Sequence, residues 1–301
     1  MFFLLKYGAL CDPSDQIATE LDLVSKFVSE TERHGDPVHH GRALAMQGET
    51  CHRLGKFEEA VASHLKLKEI YNIEEHSARV VASYASDRCA QNYGCTANCY
   101  MRLGRVDEAL KICDFIEHHI MPKMDLQNVH NSMCNLFQAF WIWRDNGMAE
   151  RSLCVFKRYV LGPFNEYFGK DGNTPFLPVF KPFEIIMTLT LFLEGKVNEF
   201  DEGFFEYALD VSKIECSVKL EIALGNFGRG PMSIGAEVCL MLYRLTDDSE
   251  KKQTLLENGV KLANLSIASC DGSDGSPKFL SGYLQLEPVH RELNAIMNKS
   301  L

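Results

Sequence analysis

Cys95 and Cys99 stand four apart, with Cys89 six before them, and on a helix that spacing puts two thiols on one face. Such a pair begins a zinc site when two more ligands converge on it. No C-x-x-C pair accompanies it, and the nearest histidines, His118 and His119, fall in the following helix. Core packing is therefore the better reading of these thiols. His39-His40 and His118-His119 read as surface or helix-end residues near a negative helix dipole. Gly225 to Gly235 is glycine-rich, but no Gly-Lys-Ser/Thr follows a strand there, so it is not a phosphate loop. It reads as a flexible interhelical loop ending in Pro231 as a first helical residue. Residues 271–276 resemble half of a calcium loop, yet Gly282 stands where the bidentate Glu belongs, which leaves a solvated loop. Nothing places a serine beside a His and an acid. The expectation is a protein without catalysis of its own, without a cofactor and without a metal.

The elements that would carry these residues follow from composition and punctuation. The chain has 301 residues, 31 Lys+Arg against 41 Asp+Glu, a net charge of −10, 46% hydrophobic and 24% charged residues. That is ordinary globular composition and excludes a disordered tail, a collagen-like fibre or a coiled-coil rod. The acidic balance, with no long Lys/Arg run, argues against a nucleic-acid binder. Eleven cysteines, odd in number and scattered, argue for reduced thiols in a cytosolic or nuclear protein, and the expected location is cytoplasmic. The apolar start Met1 to Leu5 is interrupted by Lys6, so no signal peptide is expected, nor any membrane span. No proline stands between Pro37 and Pro122, and apolar residues recur at three and four, as in Leu21, Val24, Phe27, Val28 and in Leu136, Phe137, Phe140, Trp141. The chain reads as all-α.

It also repeats. His52-Arg53-Leu54-Gly55-Lys56-Phe57-Glu58-Glu59-Ala60-Val61 aligns with Met101-Arg102-Leu103-Gly104-Arg105-Val106-Asp107-Glu108-Ala109-Leu110. Gly ends one helix in the left-handed conformation, the acidic pair favours the next helix's N-terminus, and Ala lets the two helices approach. Weaker echoes occur around Gly147 and Gly195, so the glycines at 55, 104, 147 and 195 recur at intervals of 43 to 49 residues. These residues resemble the tetratricopeptide repeats (TPR). The first match runs over 41–74 through Leu44, Gly48, Cys51, Gly55, Phe57, Ala60 and Leu67. The second runs over 90–123 through Tyr93, Ala97, Tyr100, Gly104, Val106, Ala109 and Ile116, with Pro122 near the family's closing proline. The interval exceeds the family's usual period of about 34, as in long-helix variants similar to kinesin light chain.

The resemblance implies a right-handed superhelical solenoid of about five antiparallel helical hairpins. Residues 1–40 would form an N-terminal capping region with a helix over 21–27, 41–123 two clear repeats, and 124–270 degenerate hairpins at 133–161 and 181–212. A final pair would span 232–245 and 249–269, and 271–301 a loop and capping helix over 286–297. A segment at 162–183, rich in proline and aromatics, reads as a long loop that packs back onto the solenoid. The first helix of each pair would line a concave groove. Its positions would be Arg42, Ala45, Glu49, His52 and Arg53, then Gln91, Gly94, Asn98, Met101 and Arg102, then Cys134, Phe137, Trp141 and Arg144. Of these Arg42, Glu49, Arg53, Asn98, Arg102, Trp141 and Arg144 are the candidate partner-binding residues, because arginine forks bind carboxylates or carbonyls and Trp anchors. The implied function is a scaffold or regulatory adaptor holding a peptide or protein segment, a basic one on the −10 charge. Ala45 and Glu49, with Cys134 and Gln138 on the third hairpin, occupy the places of the Lys/Asn clamp, which argues against a heat-shock chaperone tail as partner. The alternative from another class is an enzyme or ligand sensor built on the 162–183 segment and the groove.

Overall fold

Asp36 opens the first strongly marked helix: its Oδ1 accepts from the Val38 amide at 2.8 Å, and Pro37 fills the first helical position, where no N–H is needed. Signals of this kind set the boundaries throughout a computed structural model that describes residues 17–84, 86–123, 129–163, 166, 177–198, 204, 208, 231–270 and 280–300. Among the described residues there are twelve α-helices and no strand. They are α1 (Ile17–His34), α2 (Pro37–Arg53), α3 (Phe57–Ile70), α4 (Ile73–Tyr84), α5 (Arg88–Arg102), α6 (Val106–Phe115), α7 (Val129–Asp145), α8 (Ala149–Phe156), α9 (Leu177–Leu193), α10 (Pro231–Leu245), α11 (Ser249–Cys270) and α12 (Leu280–Ser300). No described helix is long and apolar enough to cross a membrane.

The four glycines of the repeat all carry positive φ, between 70° and 76°, and each closes a helix in the same way. At Gly55 the amide of Lys56 reaches back to the Cys51 carbonyl at 2.9 Å, and Gly55 itself donates to His52 at 3.1 Å. Arg105 to Tyr100 at 2.8 Å, Met148 to Trp143 at 2.8 Å and Lys196 to Leu191 at 2.9 Å repeat the longer bond at Gly104, Gly147 and Gly195. This double closure satisfies carbonyls that the helix end would otherwise orphan, and a side chain at the glycine position would be strained. α2 with α3, α5 with α6 and α7 with α8 are thus hairpins joined by one common turn. The second helices of the latter two run on through five-residue π-helical turns, Ile116–Ile120 and Lys157–Leu161.

The described residues fall into two compact units, one drawn from Met1–Ile142 and Gly272–Leu280, the other from Trp143–Asp271 and Ser281–Leu301. In the first, α2 packs on α1, α3, α4 and α5, and α5 also packs on α3, α4 and α6. Its core joins Val38, Leu44, Ala45, Leu67, Tyr71, Val80 and Cys89, with Val28 of α1 and Tyr84 of α4 against it. In the second unit α9 packs on α8 and α10, α10 on α11, and the ring of Phe156 meets that of Phe183 at 4.7 Å between centroids.

Some elements depart from the sequence reading. α4 occupies residues expected to connect two hairpins; it shows Glu74 and Glu75 in its first turn and buries Val80. The end of the expected 162–183 loop is helical, because α9 begins at Leu177. Pro178 falls in its first turn, where an amide would have no intrahelical partner, and Pro182 removes a single bond. Residues 164–165 and 167–176 of that segment lie outside the described residues, as do 199–203, 205–207 and 209–212 of the fourth hairpin, most of the 225–235 loop and the loop 271–276. The final pair appears at Pro231–Leu245 and Ser249–Cys270, with Pro231 as its first helical residue.

Candidate functional site

α5 carries most of the polar residues singled out in the sequence, and from Cys89 to Tyr100 every residue of it is buried. Asp87 starts it with two bonds: Oδ1 accepts from the Ala90 amide at 3.0 Å and Oδ2 from the Tyr71 hydroxyl at 2.5 Å. Burial, with the neighbouring Asp87 carboxylate, pushes the Tyr71 hydroxyl's pKa far up. Cys95 and Cys99 face the core as small hydrophobes. Burial pushes the Cys95 thiol up to about 12 and raises Cys89 and Cys99 well above their ordinary value. Neutral thiols of this kind are poor nucleophiles and poor metal ligands. Among the described residues no three His, Cys, Asp or Glu side chains converge as metal ligands.

A helix buried on all sides must satisfy its own polar side chains. Asn98 accepts at Oδ1 from His52 Nε2 at 3.3 Å and donates from Nδ2 to Gln138 Oε1 at 2.8 Å. The three residues come from α2, α5 and α7, the first helices of three successive hairpins. Because Asn98 spends its Nδ2 on Gln138, its oxygen must receive the His52 proton, which fixes the Nε2–H tautomer. A second set lies one layer toward the N-terminus of α5. His64 Nδ1 donates to Asn92 Oδ1 at 3.1 Å, Asn92 Nδ2 donates to the Ala45 carbonyl at 3.1 Å, and the Tyr93 ring sits edge-on to His64 at 4.7 Å. Burial pushes both imidazoles down to about 4, against the favourable hydrogen bonds from Asn98 and Asn92, so both are neutral near pH 7.

Around these layers lie the charged candidates. Glu49 Oε2 holds Arg88 Nη1 at 3.0 Å, and Arg53 is paired with Glu20 of α1, which also accepts from Thr50 at 2.9 Å. Arg53 is therefore neutralised within the chain. Arg42 points elsewhere, with its guanidinium carbon 5.6 Å above the centroid of the Tyr84 ring. Arg102 is half-buried at the end of α5, and Trp141 is 4% exposed. Arg144, in the second unit, pairs with Asp145 at 2.7 Å and Glu237 at 2.9 Å. The structure thus brings Glu49 to Arg88, Arg53 to Glu20, and Asn98 between His52 and Gln138. In Cys134 the backbone alone is described.

The histidine pairs differ from expectation. His39 and His40 lie in the first turn of α2, at its positive end, and are held by side chains: His39 Nδ1 meets Tyr84 Oη at 2.6 Å and His40 Nδ1 meets Thr31 Oγ1 at 3.2 Å. His119 stacks on Phe115 at 4.9 Å. Sequence reasoning passed over His64, Asn92, Arg88 and Tyr84. His64 carried a signal, because it falls on the apolar stripe Ala60, Val61, His64, Leu67, and a buried imidazole needs a partner.

These features define a class, an all-helical protein whose first unit is built from helical hairpins closed by one recurring glycine turn. No protein-family model, no curated protein and no solved structure matches the chain.

Proposed function

We propose that the chain is a protein-interaction scaffold or regulatory adaptor, a TPR-like right-handed superhelix of about five hairpins that binds a peptide or protein segment along its first helices. The observation that carries this reading is the side-by-side packing of α2 and α5, the first helices of two hairpins with the same glycine closure. The buried row His52–Asn98–Gln138 extends that relation to α7 through two hydrogen bonds. Hairpins arranged so offer a continuous surface whose shape is set by neighbouring interfaces. The net charge of −10 favours encounter with a segment of positive net charge, in the cytoplasm. The role is binding rather than catalysis.

Arg102, half-buried at the end of α5, is the residue for the test. Peptides selected on the full chain from a random display library are expected to bind the Arg102→Glu variant at least roughly tenfold more weakly, a loss of about 1.4 kcal/mol. The variant's helical circular dichroism should match the wild type. Equal affinity for both proteins would sink the reading.

A further inference from the structure

The chain on either side of α4 meets at one buried bond. The Tyr71 hydroxyl, just past the end of α3, donates to Oδ2 of Asp87, just before α5, at 2.5 Å, and both residues are buried. The chain that leaves the packed hairpins after Tyr71 therefore returns to them beside its point of departure. An excursion stapled in this way moves without pulling on the helices that flank it. α4 also carries its own start. Asn72 Oδ1 accepts from the Glu74 amide at 2.9 Å, the Asn72 amide donates to His76 Nδ1 at 2.9 Å, and Glu74 and Glu75 stand in the first turn. These bonds close the helix N-terminus without help from another element.

Its hold on α2 and α5 is light. Val80 is its one buried side chain, whereas every residue of α5 from Cys89 to Tyr100 is buried. Glu74, Glu75, Ala78, Arg79, Ala82 and Ser83 are exposed. Other ties lie at the rim: Arg79 to Asp36 at 3.0 Å, with the Arg79 side chain 57% exposed, Tyr84 to His39 at 2.6 Å, and Glu74 to Lys123 at 2.5 Å. Ion pairs so placed contribute little. Few buried apolar contacts beneath an exposed outer face mark a segment that opens well below global unfolding.

The residues beneath α4 belong to the proposed binding face. Ile73, Val80 and Tyr84 join the cluster that includes Val38 of α2 and Cys89 of α5, and the Tyr84 ring lies 5.6 Å from the Arg42 guanidinium carbon. Asp36, His39 and Arg42 place these contacts at the N-terminal end of α2.

We propose that α4 is a detachable cover. It lifts off α2 and α5 as one unit while the Tyr71–Asp87 bond stays closed, and when seated it shuts the N-terminal half of α2 to the segment that binds there. The covering role rests on the binding reading above; the detachment does not.

Native-state hydrogen exchange of the full chain, as wild type and as Arg79→Glu, tests the detachment. The substitution sets a second carboxylate against Asp36 at an exposed position. Ile73–Tyr84 is expected to exchange ahead of Phe57–Ile70 and Arg88–Arg102, and roughly three- to tenfold faster in Arg79→Glu, with those two helices unchanged. Exchange of Ile73–Tyr84 in step with Arg88–Arg102, a rate that Arg79→Glu leaves unmoved, or a substitution that speeds all three helices alike would each overturn the detachment. The covering role predicts that display-selected peptides bind Arg79→Glu more tightly by the same factor as α4 exchange rises, because the open fraction sets the apparent affinity. The two proposals fail separately. Peptides that depend on Arg102 yet gain nothing from Arg79→Glu remove the cover and leave the binding face. Peptides bound equally by wild type and Arg102→Glu remove the binding face and the covering role with it, and leave the detachment to stand on exchange alone.

Discussion

Lowering the pH from 7.5 to 5 is expected to cost this protein about 4 kcal/mol of stability, about 2 kcal/mol for each of two buried imidazoles. His52 and His64 have pKa values pushed down to about 4 from an ordinary 6.5. Because the folded values are depressed, the unfolded chain binds more protons in this window. The stabilisation is complete above pH 6.5, falls as pH drops below it, and is exhausted near pH 4. Protonating His52 would bury a charge away from water, the main cost, with Arg102 and Arg53 adding repulsion. Protonating His64 would likewise bury a charge, with Lys68 repelling it. Urea unfolding followed by circular dichroism across this pH range reads the effect. His64→Gln, whose amide can still donate to Asn92, should remove about half of the slope. A flat profile between pH 7.5 and 5 would mean that these imidazoles are not buried as neutral groups.

Gly48→Ala is expected to destabilise the first unit by about 3 kcal/mol, from overpacking and a disturbed buried amide together. A methyl at Gly48 would lie 2.8 Å from Asn92 Nδ2 and 3.4 Å from its Oδ1. Asn92 cannot simply swing aside, because it is 1% exposed and tied both to the Ala45 carbonyl and to His64. Moving it leaves the His64 donor without an acceptor in the core. Gly104→Ala makes the contrast, since nothing lies within 4 Å of its added methyl and its cost comes from φ +73° alone. The two effects are coupled to different partners. Combining Gly48→Ala with Asn92→Ala should therefore cost less than the sum of the single changes. Strict additivity would mean that the α2–α5 approach at this point is looser than described.

Gly48 shows how far the sequence could be read. Its place in the repeat pattern marked it as a required small residue, and the structure supplies the reason in the Asn92 amide above it. The turns at Gly55, Gly104, Gly147 and Gly195 were legible for a related reason: a helix closed through a left-handed residue leaves a local signature that repeats. At Pro231–Leu245 the legible part was the start, where Pro231 reads as a first helical residue. α4 was not, because no glycine closes it and its one buried side chain, Val80, makes a faint stripe. The helical start at Leu177 was masked by Pro178 and Pro182, which read as breakers until the first turn is known.

The candidate residues were legible as positions and not as partners. Arg53 and Arg42 lie on one helix and read alike, yet Glu20 of a preceding helix neutralises the first while Tyr84, a ring, supports the second. Asn98 was found, but its bonds run to residues 46 and 40 positions away. Which amide meets which imidazole depends on the register between packed helices, and no local spacing encodes that.

The binding face itself is most directly tested by hydrogen exchange of the full chain, with and without a display-selected peptide. The proposed binding along the first helices predicts that bound peptide slows exchange in Pro37–Arg53 and Arg88–Arg102 more than in Ser249–Cys270. Protection confined to Ser249–Cys270, or to other helices outside α2 and α5, would contradict it.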